Sequence, residues 1–472
     1  MTAKVSVSIL LFSLNRNMRG AIVIVVVLFL CMSCQNKPLK EVKPEQVRLV
    51  TLDPGHFHAA LVQKSMYENV DSTVHVYAPA GPDLQLHLNR VTSFNSRKED
   101  PTHWREEVYT GDDFFKKMLD EKAGNVAVLA GNNQKKTEYI NESIAAGFHV
   151  LADKPMAINS ADFQLLKHAF AIANTNDLLL YDIMTERFEI TTILQRELSM
   201  IPEIFGTLEK GTPDKPAVEQ NSVHYFYKYV TGSVLQRPPW FMDVTQEGEG
   251  IVDVTTHLVD LVQWECFPEQ SIDYEKDVEL ISARRWATDI TLSEFQSITQ
   301  LKDFPAYLKQ SVKHDDILSV FCNGEINYKL KGVHAKVSVV WNYKAAEGGD
   351  THYSILRGSK GNLVIRQGAE QKYEPTLYIE RPIRNETETA LFDELEKMQV
   401  KYPGIDFKRT AEGWQVIIPD QYKEGHEAHF ARVTQKFLEY LEMRNMPAWE
   451  VPNMLAKYYT TTQALELARK QK

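Results

Sequence analysis

The sequence predicts an α/β, doubly wound parallel sheet followed by an α+β domain with an open antiparallel sheet. Between 47 and 185, short aliphatic and β-branched runs alternate with helix-spaced segments. That alternation is the pattern of parallel strands joined by right-handed crossovers. Beyond Ile201-Pro202 the β-rich stretches follow one another and are interrupted by one apolar helix, the order of an antiparallel sheet with helices on one side. The balance of 43% hydrophobic and 25% charged residues over 472 residues is that of an ordinary globular protein and excludes a disordered or polytopic membrane chain.

Taken in order, the first domain (47–185) reads as a strand at 47–52 (VRLVTL), a helix at 59–67 and a strand at 73–77 (TVHVY). A helix at 112–119 precedes a buried strand at 126–130 (VAVLA) and a helix at 137–146, stopped by Gly147. A strand at 148–151, a helix at 161–173 capped by Ser160 and a strand at 178–181 complete it. The second domain (186–472) carries strands at 223–230, 277–286, 316–322, 335–343, 351–357 and 362–366 around the apolar helix 252–264. A strand pair within 407–419 turns at Glu412-Gly413, and amphipathic helices fall at 426–441 and 451–469.

The N-terminus reads as an export leader. Arg16 and Arg19 precede a twelve-residue apolar run, Ala21 to Met32, which ends in Ser33-Cys34. A spanning helix needs about 20 residues, whereas a basic start, a short apolar run and a small residue before the cut describe a signal peptide. Ser33-Cys34 resembles a bacterial lipobox, so Cys34 is expected to be lipidated and 1–33 removed, with Met18 as an alternative start. The polar stretch 34–46 is then a tether, and the protein is expected in the bacterial envelope, periplasmic or on the cell surface, touching membrane through its lipid only. The formal charge of −10 (53 Lys+Arg against 63 Asp+Glu) lacks a nucleic-acid footprint. Four cysteines, Cys31, Cys34, Cys266 and Cys322, exclude a disulfide-built scaffold and a four-cysteine zinc pattern.

The first strand–turn–helix is VRLVTLDPGHFHAAL. A dinucleotide site places G-x-G-x-x-G here, so that backbone approaches the diphosphate at a helix N-terminus. The three glycine positions fall on Asp53, Gly55 and His58, and only Gly55 is glycine. His56 and His58 form an H-x-H pair, which suits a metal, but no third ligand lies nearby in sequence and no metal is assigned.

The stretch VAVLAGNNQKKTEYINESIAAGFHVLADKPMA (126–157) resembles the core of the glucose–fructose oxidoreductase / inositol dehydrogenase / rhizopine-catabolism (Gfo/Idh/MocA) family. Ala130-Gly131-Asn132-Asn133 stands where that family has A-T-P-N, and Asp153-Lys154-Pro155 where it has E-K-P. GEGIVDVTTHLVDL (248–261) resembles its G-G-G-x-x-x-D-x-x-x-H-x-x-D, and the likeness covers nearly all of 47–472 except an extra stretch near 380–425. The departures are the broken glycine pattern, Asp153 for Glu, and Lys136 where the family often has His. The resemblance implies a Rossmann-type first domain that binds NAD or NADP, here expected to be tightly held. It places the cofactor against Asp53, Gly55, His56, Phe57, His58, Asn132, Asn133, Lys154, Pro155 and Arg187. It carries the catalytic roles to Lys154, Asp253 and His257.

The chemistry agrees. Asp253 and His257 are spaced i and i+4, one face of one helix, and Lys154 follows the C-terminal end of a parallel strand, where ligands bind in open α/β sheets. Oxidation of a secondary alcohol needs a hydride acceptor and a group that takes the hydroxyl proton, and a tuned Lys or His does the latter. Taken singly, Lys154 reads as a surface lysine, His257 as a core histidine and Asp253 as a helix cap. Their combination with the chain-wide resemblance favours the functional roles. Tyr227, Arg237 and Trp240 lie in aromatic-rich segments that suit either core or a sugar. The expected function is extracytoplasmic oxidation of a sugar or glycoside hydroxyl, at C3. One alternative is NAD-dependent glycoside cleavage by oxidation, elimination and re-reduction. The other is non-catalytic saccharide binding with a degenerate cofactor turn. Homo-oligomers, an electron acceptor and partner sugar-processing enzymes fit the same expectation.

Overall fold

The computed structural model describes residues 46–230, 233–380 and 385–470. The leader, Cys34 and the tether up to residue 45 lie outside them.

Six parallel strands form the first sheet: β1 (Leu49–Leu52), β2 (Thr73–Tyr77), β3 (Arg105–Tyr109), β4 (Val126–Leu129), β5 (His149–Asp153) and β6 (Leu180–Ile183). Their order is β3-β2-β1-β4-β5-β6, so the order reverses beside β1, the place where open α/β sheets bind ligands. Strands β1, β4 and β6 are buried at every residue, which is why they read as unbroken aliphatic runs. The crossovers are α1 (His58–Leu61), α2 (Pro82–Ser96), α3 (Phe114–Glu121), α4 (Lys136–Ala145) and α5 (Ser160–Thr175). Helix α1 is one turn long rather than spanning 59–67. The cap of α5 is Asn159, whose side chain accepts from the Ala161 and Asp162 N–H groups, and not Ser160.

After α6 (Ile190–Ser199) the chain builds a ten-stranded sheet. Its strands are β7 (Val218–Tyr227), β10 (Val278–Thr291), β11 (Val312–Lys313), β12 (Ile317–Leu330), β13 (Val333–Lys344), β14 (Thr351–Arg357), β15 (Asn362–Gln367), β16 (Thr376–Glu380), β17 (Asp406–Arg409) and β18 (Gly413–Ile417). A separate hairpin joins β8 (Tyr229–Val230) to β9 (Ser233–Val234). The large sheet is mixed, because β7 pairs parallel to β13 and antiparallel to β14. The cause is geometric: β13 and β14 run oppositely, and any strand slotted between them must match one and oppose the other.

Helices α7 (Thr255–Cys266), α8 (Tyr274–Asp277), α9 (Leu292–Thr299), α10 (Asn385–Lys401), α11 (His426–Met443) and α12 (Glu450–Lys470) complete the molecule. The stretch expected as an insertion near 380–425 supplies α10 and the β17/β18 pair. The division at 185/186 does not divide the cores. Phe430, Val433 and Phe437 of α11 and Met454 and Tyr458 of α12 pack into the core of the first sheet. No helix among the described residues is long and apolar enough to cross a membrane.

Candidate active site

A cavity of about 750 Å³ opens where the C-terminal edge of the parallel sheet meets the second sheet. Lys154, Asp253 and His257 all line it. Lys154 follows directly on β5, and its peptide to Pro155 is cis. Its ammonium pairs with the Asp253 carboxylate, with both side chains nearly buried. Asp253 is not on the helix: α7 begins at Thr255, and Asp253 sits in the turn that leads into it. It does not cap that helix, and its Oδ1 is given to Lys154.

Two glycines bring this turn into place. Gly248 has φ +99°, a left-handed conformation that favours glycine. A Cβ on Gly250 would lie 1.8 Å from the Cys322 carbonyl oxygen on β12, so only glycine lets the turn press against that strand. The G-E-G segment is thus the device that lays Asp253 beside Lys154.

Charge states follow from burial. Burial alone would lower the Lys154 pKa, but Asp253, Asp153 and Glu247 outweigh it and raise the value. Burial, aided by the Lys154 cation, pushes His257 well below the ordinary histidine value. The His257 Nδ1 is buried without a hydrogen-bond partner. Lys154 is therefore held as a cation and His257 as a neutral imidazole. The sequence reading had allowed either to take the proton.

The cavity wall includes residues that the sequence reading passed over. His426 stands at the start of α11, with a pKa lowered to about 4 by burial, and His352 on β14 is lowered to about 4 for the same reason. Burial raises Glu186 to about 7. All three line the cavity. The one available signal was His426-x-x-His429 directly after Gly425, an i, i+3 histidine pair at a helix start.

The other predicted residues divide. His56, Phe57, His58 and Arg237 line the cavity. Arg237 is buried, donates to the Phe226 and Tyr225 carbonyls, and lies over Phe241 and Trp341. Tyr227 packs on Tyr229 and Tyr343 and does not line the cavity. Trp240 is buried, and its Nε1–H donates to Asp83 Oδ2 at 2.7 Å. Asn132 donates to Gln246 Oε1 at 2.7 Å, and Asn133 to the Glu247 carbonyl at 2.7 Å, so both tie the first domain to the second. Arg187 reaches neither cavity nor turn. It donates to both Asp260 oxygens at 2.6 and 2.7 Å and to Glu450 at 3.0 and 3.2 Å, in a buried network. That placement corrects its assignment to the cofactor: its guanidinium is fully used as a clamp.

Comparison with known proteins fixes the class. Residues 55–179 match the family model described as "Oxidoreductase family, NAD-binding Rossmann fold", and residues 194–469 match "Putative oxidoreductase C terminal domain". The chain belongs to the Gfo/Idh/MocA oxidoreductase family, with a Rossmann-type first domain. A crystal structure of an oxidoreductase from Parabacteroides merdae ATCC 43184 is 56% identical, covers 91% of this chain and 99% of its own, and has a TM-score of 0.88. Two more distant structures share the fold. A 3-ketoreductase from Actinomadura kijaniata in complex with NADP and TDP-benzene is 13% identical, covering 90% and 98%, at TM-score 0.54. GenD2 from gentamicin A biosynthesis in complex with NAD is 15% identical, covering 91% and 96%, at TM-score 0.53. A search of proteins with curated function returns no match.

The family's dinucleotide meets an obstruction at the turn after β1. Asp53 has φ 47°, the left-handed conformation that a glycine takes at the first fingerprint position. A Cβ on Gly55 would lie 3.1 Å from Trp240 Cζ2 and 3.3 Å from Asp83 Oδ2, so side chains already fill the face where a diphosphate would run. The Gly55 and His56 N–H groups are spent on the Asp53 and Ala130 carbonyls. Burial raises both Asp53 and Asp83, two acids beside a would-be phosphate. The diphosphate end does not receive its group while Trp240 covers Gly55.

Proposed function

We propose that this protein is an oxidoreductase acting on a secondary hydroxyl of a sugar or glycoside, at C3, with NAD or NADP as its hydride partner. The observation that carries the reading is the Lys154–Asp253 pair on the wall of a cavity that His257 also lines. The family's nicotinamide, when bound, supplies hydride acceptance; the remaining work falls to these side chains. Lys154 donates to the reacting oxygen and stabilises its negative charge, Asp253 holds the ammonium in place, and His257 takes the hydroxyl proton. Arg237, Ser222 and His224 line the same cavity and offer polar contacts to a polyol. The distant structural relative that is a 3-ketoreductase, in complex with NADP and TDP-benzene, is consistent with hydroxyl or ketone chemistry.

Acid–base groups typically contribute about 10²–10⁴-fold. Lys154→Ala and His257→Ala should each lower kcat by that order on a glycoside that the parent oxidises, measured with an artificial electron acceptor. Full turnover by the double variant would end the reading. Co-purifying nucleotide, released by acid and identified by mass, tests the tight cofactor. The leader reading completes the proposal with an envelope protein anchored through Cys34, which intact mass of membrane-extracted protein would decide. One observation favours the redox-neutral alternative. Cleavage by elimination needs a further group to protonate the departing glycosidic oxygen, and Glu186 on the cavity wall is half-protonated near neutral pH.

A further inference from the structure

We propose that His56, His58 and Asp153 bind one divalent transition-metal ion, Zn²⁺ or a close relative, with its remaining coordination positions open to the cavity. Asp153 lies 95 positions from His58, yet the fold brings one ligand atom of His56, His58 and Asp153 within 4.8 Å of the others. His56 and His58 leave the turn after β1, and Asp153 ends β5, two strands away across the parallel sheet. His58 Nδ1 is 2.9 Å and His56 Nδ1 3.7 Å from the same oxygen, Asp153 Oδ2. Donors bound to one ion at about 2.0–2.2 Å stand about 3–3.5 Å apart. The two spacings to Asp153 bracket that edge; His56 Nδ1 also accepts from the His58 N–H at 3.4 Å, and an ion would take the place of that long contact.

The donor chemistry fits. Two imidazoles and one carboxylate are a recurrent ligand set for divalent first-row ions, and leaving positions open is the mark of a reactive rather than a structural site. Of the two nearby ammonium groups, Lys154 is paired with Asp253, and Lys136 is turned to the Asp153 backbone carbonyl at 3.1 Å. His56 and His58 line the cavity, so an ion between them faces the space beside Lys154 and His257. There it would bind a hydroxyl or carbonyl oxygen of the ligand as a Lewis acid. The site also accounts for imidazoles in a turn where a dinucleotide fingerprint has small residues: His58 bonds to Asp153 Oδ2 at 2.9 Å, and His56 stands 3.7 Å from the same oxygen.

The test uses the whole protein, tag removed and stripped with a chelator, without nucleotide or sugar, so it is independent of the proposed oxidation. Zn²⁺ titrated calorimetrically should bind at one ion per chain, and Co²⁺ should give a visible spectrum that Zn²⁺ displaces. His58→Ala, Asp153→Asn and the milder His56→Gln, on the more exposed ligand, should each weaken Zn²⁺ binding by about 100-fold or more. His103→Ala, at an exposed position, should bind as the parent does, with circular dichroism reporting the fold of every variant. Absence of stoichiometric Zn²⁺ binding in the parent overturns the proposal. So does equal affinity in the parent and in folded His56→Gln.

Discussion

Arg187→Met separates a structural clamp from a cofactor contact. The guanidinium makes four hydrogen bonds, two to Asp260 and two to Glu450. Lys457, fully buried, joins the same network through Asp260 and Asp182, each at 2.7 Å. Three carboxylates thus share two cations, and removing Arg187 leaves three acids to one lysine. Breaking a buried pair by deleting one partner costs about 3–5 kcal/mol, a large part of the roughly 5–15 kcal/mol that holds a domain folded. Urea unfolding followed by fluorescence should show a loss of that size. The double variant Arg187→Met/Asp260→Asn should lose less than the sum of the single losses, because the orphaned acid is then neutral. The exposed Lys116–Asp120 pair is the control, where Asp120→Asn should change stability by no more than about 0.5 kcal/mol. A loss below about 1 kcal/mol in Arg187→Met, together with weakened dinucleotide binding, would refute the clamp and restore the cofactor role.

Three further outcomes are expected. His352 has its pKa lowered from 6.5 to about 4 in the folded protein; below 6.5 the unfolded chain binds the extra proton, so stability falls as pH drops from 6.5 towards 4. The difference of 6.5 − 4 limits this loss to about 3 kcal/mol, and His352→Gln should flatten the acid limb of the urea midpoint plotted against pH. Gly250→Ala forces a Cβ to 1.8 Å from the Cys322 oxygen and should cost at least about 2–3 kcal/mol in the same unfolding assay. Gly81→Ala, with nothing within 4 Å, should stay within about 0.5 kcal/mol. Trp240→Phe removes the bond to Asp83, which at about 1.5 kcal/mol for a charged acceptor should tighten NAD or NADP binding by roughly tenfold in a calorimetric titration; weaker binding would mean that Trp240 contacts the nucleotide instead of guarding Gly55.

The parallel sheet was legible where its strands are buried on both faces. VAVL of β4 is buried at all four residues and could be read as a strand without any context. By contrast β3, REEVY, is an exposed edge strand, and α2 buries only Leu84, His87 and Val91 of its fifteen residues. Neither carries enough apolar periodicity to announce itself, and both were missed. That Lys154, Asp253 and His257 meet at one cavity was legible through motif spacing. Asp153 was visible only as part of that motif, because its meeting with His58 spans 95 positions. Arg187 was misplaced for the same reason: an arginine after a β-strand looks alike whether it serves a phosphate or a buried acid, and its acids lie 73 and 263 positions away.

The network that occupies Arg187 also fixes the shape of the cavity. Asp260 is three residues past His257 on α7, so the helix that carries the candidate base is the helix being clamped. The other ends of the clamp are Asp182 on β6 and Lys457 and Glu450 on α12. Strand β6 is hydrogen-bonded to β5, whose last residue precedes Lys154. The two cavity walls are therefore joined through buried ion pairs one strand away from the Lys154–Asp253 contact. Pulling them apart would break several buried charge pairs at once, each costing several kcal/mol. A wide hinge between the domains is disfavoured, and access for a dinucleotide is left to the local segment that carries Trp240, held to the first domain by hydrogen bonds at Asp83, Asn132 and Asn133, the last donating to both the carbonyl and the carboxylate of Glu247. The two parts of the interface are thus held differently: buried ion pairs beside Lys154, Asp253 and His257, and hydrogen bonds alone at the Trp240 segment over Gly55.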